Sequence, residues 1–251
     1  MNDAPAAYVL AMAVLFARIG AIFMIAPGLS SMRAPVKVRL LIALGVTLAL
    51  APPLIDTAAD AVSDRTPAAL LRVLGMEAII GLFIGLMTRL LMMALSTMAI
   101  AIANMVGLGG IPGTAIDGNE PSQAAASLFN VTALMIIFLT DLHHEILRAG
   151  LDSYAVVAPG GIYDAQTALS DVADRASEAF LVALRLSAPF IIYSVIVNFA
   201  IGLTNKLTPQ LPVFFVALPM VTAGGLMMIA YAVREMMFAF RLAFEQLVVA
   251  L

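Results

Sequence analysis

The chain has 251 residues, 63% of them hydrophobic and only 12% charged, with a formal net charge of −3 and a mean hydropathy of +1.04. A soluble domain of this length cannot hide so much apolar surface, so the sequence describes an integral membrane protein. The lack of cysteine excludes disulfide, thiolate and cysteine–zinc chemistry. No Lys/Arg cluster is long enough to bind nucleic acid.

Residues 1–8 contain no basic residue and carry Asp3, the opposite of a secretory n-region, so the first apolar run reads as a retained helix. A bilayer is crossed by about 20 apolar residues in a helix. Six segments meet or approach that: 8–26, 40–55, 70–93, 126–147, 179–203 and 212–233. The fold class is therefore all-α, an integral membrane helical protein with about six long apolar helices. Prolines punctuate the boundaries, among them Pro27, Pro35, Pro52-Pro53, Pro67, Pro121, Pro159, Pro209 and Pro212. Pro189 and Pro219 fall inside the fifth and sixth segments, where kinks are expected. The apolar run 91–106 either extends the third helix or turns back as a re-entrant hairpin. Residues 159–178 read as an acidic loop with some helix.

Charge gives an orientation. The first loop holds Arg33, Lys37 and Arg39, and the fifth Lys206, whereas the second and fourth are acidic. The positive-inside rule places loops one and five in the cytoplasm. Arg234 and Arg241 then fall on the wrong side, so a standard six-span topology fits poorly. The tail 234–251 spaces Met237, Phe240, Phe244, Leu247 and Val248 as one face of an amphipathic helix.

Chemistry-bearing residues are few. Asp141, His143, His144 and Glu145 end a strongly apolar run and include both histidines of the chain. Adjacent histidines point about 100° apart on a helix, and no third histidine or cysteine exists, so neither metal binding nor catalysis is expected. A proton relay is one reading. An interfacial cap or inter-subunit polar contact is the favoured one, in a polar set with Glu77 and Lys206. Arg18, Glu77, Arg89 and Arg185 lie within apolar segments, where a charge must be paired or face water. Helix-packing ion pairs are the simplest outcome. Gly81 and Gly85 form a GxxxG pattern that permits close helix approach. The methionine pairs suit ordinary packing.

The segment 107–123 contains five glycines and two prolines. It lacks the GK[ST] of a phosphate-binding loop and follows no strand, so a nucleotide site is not expected. A mobile plug is one reading and a flexible linker the other. No cofactor is implied.

Taken together, the punctuation resembles the FliR family, the membrane subunit of the flagellar export gate and its counterpart in type III injectisomes. The matching residues are Phe16, Arg18, Gly20 and Pro27, then Pro35, Lys37 and Arg39, then Glu77, Gly81, Leu82 and Gly85. Asp141, His143, His144, Ser153-Tyr154 and Pro159-Gly160 follow. Ala188-Pro189, Gly202-Leu203, Pro209-Gln210, Pro212-Val213-Phe214, Pro219 and Gly224 complete the series. The chain departs at Leu142, where the family often has glycine, and at Lys206, where it often has arginine.

The resemblance implies a FliP-like part, residues 1–180, joined to a FliQ-like helical hairpin, residues 181–251. It implies a non-enzymatic subunit in the bacterial inner membrane and flagellar basal body. Its implied partners are FliP-like and FliQ-like subunits, FlhB-like and FlhA-like export components, and unfolded flagellar proteins in transit. It also implies that a loop plugs the closed channel; here that loop contains Gly107, Gly109, Gly110, Ile111, Pro112, Gly113, Asp117 and Gly118. The alternative from another class is a proton-coupled secondary transporter of a small solute that uses Glu77 with His143 and His144.

Overall fold

The computed structural model describes residues 3–30, 35–64, 66–109, 121–161, 164–210 and 213–249. Among these residues the chain forms eight α-helices and no strand. They are α1 (Asp3–Ile25), α2 (Val36–Leu50), α3 (Ile55–Ala61), α4 (Pro67–Met105), α5 (Pro121–Leu139), α6 (Leu142–Val156), α7 (Ala165–Leu207) and α8 (Val213–Val249). Four helices are long and apolar enough to cross a bilayer, and two bent pairs raise that number to six. The protein is an all-α integral membrane protein.

The first bent pair breaks by 104° between α2 and α3, at Pro52-Pro53, where two consecutive residues lack backbone donors. The second breaks by 69° between α5 and α6. Neither proline nor glycine stands there; instead Asp141 adopts a left-handed φ of 59°. The run 126–147, read from sequence as one segment, is therefore two helices. Residues 91–105 extend α4 into a single helix of 39 residues rather than turning back. Residues 165–178, expected to be mainly loop, form the first turns of the 43-residue α7. Residues 234–249 of the amphipathic tail are the end of α8, with no break before them.

The chain divides into two compact units, one made of residues 1–90, 137–176 and 244–251, the other of residues 91–136 and 177–243. In the first, α1 packs against α2, α3 and α6. Ala11, Val14 and Leu15 meet Ala51, Ala58, Val62, Val73 and Tyr154 in one cluster, and Ile19 and Phe23 meet Ala43 in another. The GxxxG pattern of α4 lies against α1. A Cβ on Gly81 would strike the carbonyl oxygen of Arg18 and stand 2.8 Å from the Ala21 Cβ. One on Gly85 would stand 3.0 Å from the Ile25 Cβ. Only glycine lets the backbones approach this closely.

In the second unit, Asn130 of α5 donates to Ser96 Oγ of α4 at 3.0 Å. Tyr193 of α7 donates its hydroxyl to the Val221 carbonyl of α8 at 2.7 Å, and a Cβ on Gly224 would meet that hydroxyl oxygen at 2.8 Å. Gly225 lies so near Val106 that a side chain would collide with it.

Candidate functional site

Two polar centres lie in the first unit. The deeper one is built around Arg18 of α1 and Glu77 of α4, both fully buried. Arg18 donates from Nε to Glu77 Oε2 at 2.8 Å and from Nη2 to Oε1 at 2.9 Å, a bidentate pair. The same guanidinium donates to Ser153 Oγ at 3.1 Å and to the Val157 carbonyl at 3.0 Å. Its Cζ lies 3.9 Å from the centre of the Tyr154 ring, a cation–π contact. Glu77 Oε1 also accepts the Gly160 N–H at 3.1 Å. Gly160 reaches that position with φ of 76°, a conformation open to glycine at no steric cost.

A buried charge is costly unless both its partner and its remaining hydrogen bonds are present. Here both conditions hold, and the pair ties α1, α4, the end of α6 and the following turn to one point. That is the work of a structural clamp. Arg89 and Arg185, the other charges within apolar segments, are exposed on their helices.

The second centre begins α6. Asp141 occupies its N-cap position, yet its carboxylate makes no capping bond. Its carbonyl accepts the His144 N–H at 2.9 Å. The imidazoles of His143 and His144 stack with ring centroids 4.0 Å apart, and His144 Nδ1 lies 3.6 Å from Asp141 Oδ1. Phe138 packs on His143 at 4.9 Å. Glu145, in the first turn, stands where its charge favours the helix N-terminus. The expectation that neighbouring histidines diverge is thus not met in this turn. Leu142 is buried, 3% exposed; the left-handed residue is Asp141, so position 142 needs no glycine.

The structure brings Asp141, His143 and His144 within 4.8 Å of one another, with neither Glu145 nor Glu77 in that group. Both oxygens of Glu77 are engaged, by Arg18 and by Gly160. Lys206 is exposed in the last turn of α7.

Of the glycine-rich segment, Gly107 and Gly109 are described; Gly110, Ile111, Pro112, Gly113, Asp117 and Gly118 lie outside the described residues. Gly107 ends α4 with φ of 82°. A Cβ there would meet Thr222 Oγ1 at 2.9 Å, and its carbonyl accepts the Thr222 hydroxyl at 3.5 Å, a long bond. A cavity of about 130 Å³ opens beside it, lined in part by Asn104, Gly109 and Asn198.

The family model of bacterial export proteins, family 1, matches residues 9–247. The chain belongs to this family. It is similar to the flagellar biosynthetic protein FliR of Caulobacter vibrioides, 31% identical over 218 residues, 87% of this chain and 86% of that protein. FliR of Escherichia coli is 26% identical over 213 residues, covering 85% and 80%. FliR of Pectobacterium carotovorum is 25% identical over 214 residues, covering 84% and 80%.

In this FliR-family chain, residues that carried the resemblance at four separated places, Arg18, Glu77, Ser153-Tyr154 and Gly160, meet at the buried clamp. Arg18 and Glu77 were legible as charges within apolar helices. The roles of Ser153 and Gly160 were not, because an ordinary serine and a turn glycine carry no signal of what they contact. Thr222 and Gly225 gave no sequence signal either.

Proposed function

We propose that this FliR-family chain is a non-enzymatic subunit of the flagellar type III export gate in the bacterial inner membrane. It would pack beside FliP-like and FliQ-like subunits, near FlhB-like and FlhA-like components, and line a channel for unfolded flagellar proteins. Residues 1–180 would supply the FliP-like part and residues 181–251 the FliQ-like hairpin. The energy for export would come from other components, since no nucleotide or catalytic motif is present in this sequence.

The observation that carries this reading is the bareness of α7 and α8. Within their apolar windows only 17% and 6% of residues are buried, against 44% in α1 and in α4. Ile192, Val195, Ile196, Phe199 and Leu203 form an exposed stripe on α7, and Val216, Met220, Met227 and Tyr231 form one on α8. Spacings of three, four and seven put each set on one helical face. Lipid alone would accept these faces; in an export apparatus they would meet partner helices.

The plug belongs to the same proposal. A channel wide enough for a polypeptide must be sealed against ions when idle, and a glycine-rich loop moves aside at little steric cost. Gly107, held against Thr222, would be the fixed end of that loop. Deleting residues 109–118 in the assembled gate is expected to raise ion leakage across the membrane while assembly survives. Unchanged conductance would defeat the plug.

A further inference from the structure

We propose that Asp141, His143 and His144 form a binding site for a divalent transition metal of the zinc, nickel or copper class. The three side chains offer ligand atoms that all lie within 4.8 Å of one another. His144 Nδ1 and Asp141 Oδ1 stand 3.6 Å apart, too far for a good hydrogen bond. Two donors on a tetrahedral zinc stand about 3.4 Å apart, given metal–donor bonds of about 2.0–2.2 Å. The pair is therefore close to the spacing a shared metal would impose and is not a direct ion pair of good geometry.

His143 supplies the second, independent observation. Its Nδ1 is buried and has no hydrogen-bond partner among the described residues. A buried ring nitrogen without a partner costs free energy and calls for an explanation. The stacking on His144, at 4.0 Å between centroids with a tilt of 37°, holds the two imidazoles on one side of the turn. Phe138, 4.9 Å away, walls the site on its apolar side. The side chains of Asp141 and His144 are 78% and 66% exposed, so solvent reaches the open side and water completes the coordination.

The donor set decides the metal. Two imidazoles and one carboxylate suit zinc, copper and nickel, whereas magnesium and calcium prefer shells of oxygen. Bound metal would join Asp141 to the first turn of α6 and brace the 69° break between α5 and α6. This site is independent of the plug and of the export reading.

The test uses the full chain, purified in mild detergent without a polyhistidine tag and stripped with a chelator. The chain has two histidines and no cysteine, so no other imidazole and no thiolate competes for the metal. Calorimetric titration with Zn²⁺ should give one equivalent per chain. His143→Ala and His144→Ala should each weaken binding at least about tenfold, since even outer-shell partners cost about 10–100-fold when lost. Cu²⁺ bound to the unmodified chain should show electron paramagnetic resonance splitting from two nitrogens, a readout that needs no variant to fold. Wild-type binding no tighter than that of the double variant, or a Cu²⁺ spectrum with fewer than two nitrogens, would overturn the site.

Discussion

Arg18 and Glu77 can be judged by what each leaves behind. Glu77→Gln removes the counter-charge from a buried guanidinium, and Arg18→Met strands a buried carboxylate. Each is expected to cost about 3–5 kcal/mol, because an uncompensated buried charge is far worse than a missing pair. Replacing both with methionine should restore much of the loss. Thermal melting of the detergent-solubilised chain would show the double variant nearer wild type than either single one; additive losses would contradict the clamp. The ion pair itself was legible as two charges in apolar surroundings that had to be neutralised. Which charge met which was not, since 59 residues separate them and only the fold closes that distance. The contact between the two histidine rings was hidden for a related reason. The angle of about 100° between neighbouring positions fixes where the two side chains leave the helix, not where their rings end, and the imidazoles meet with centroids 4.0 Å apart.

At the scale of the element, α4 gives a paired test. Gly75 has nothing within 4 Å of an added Cβ, whereas Gly81 abuts the backbone of α1. Gly75→Ala should stabilise by about 0.5–1 kcal/mol through helix propensity. Gly81→Val should separate α1 from α4 and abolish accumulation of folded protein. Equal behaviour of the two variants in a melting assay would refute the close approach.

The start of α7 offers a pH test. Asp164 accepts the Thr167 N–H at 2.9 Å and its hydroxyl at 2.8 Å, and its carbonyl accepts the Ala168 N–H. The Thr167 N–H, and then its hydroxyl, hold the carboxyl below its ordinary value of 3.8. The unfolded chain therefore takes up the proton first on acidification. The cap contributes fully above that ordinary value and loses its contribution as pH falls through the lower folded-state value. Asp164→Asn, which keeps the oxygen acceptor, should flatten the acid limb of the melting curve; an unchanged acid limb would deny the charged cap. The sequence showed the break at Pro52-Pro53 because proline cannot continue a helix. It hid the break at residue 141, where no breaker stands, and hid the first turns of α7, whose charges gave no apolar stripe to read.

At the scale of the whole molecule, the all-helical membrane character was legible from hydropathy, and the six apolar segments match the upper end of the four to six candidate spans. What no sequence pattern displayed is how unevenly the apolar surface is buried, since a bare helix and a packed one carry the same residues. The contrast between the 44% buried windows of α1 and α4 and the 6% window of α8 is the physical basis for expecting partner helices. Exposed apolar patches of this extent mark an interaction surface or a membrane surface.

The most direct test is co-expression of this chain with FliP-like and FliQ-like subunits from the same genome, followed by extraction in mild detergent and native mass spectrometry. The account predicts one stable heteromeric assembly containing this chain, and poor accumulation of the chain expressed alone. A well-behaved free monomer or homodimer, indifferent to those partners, would contradict it.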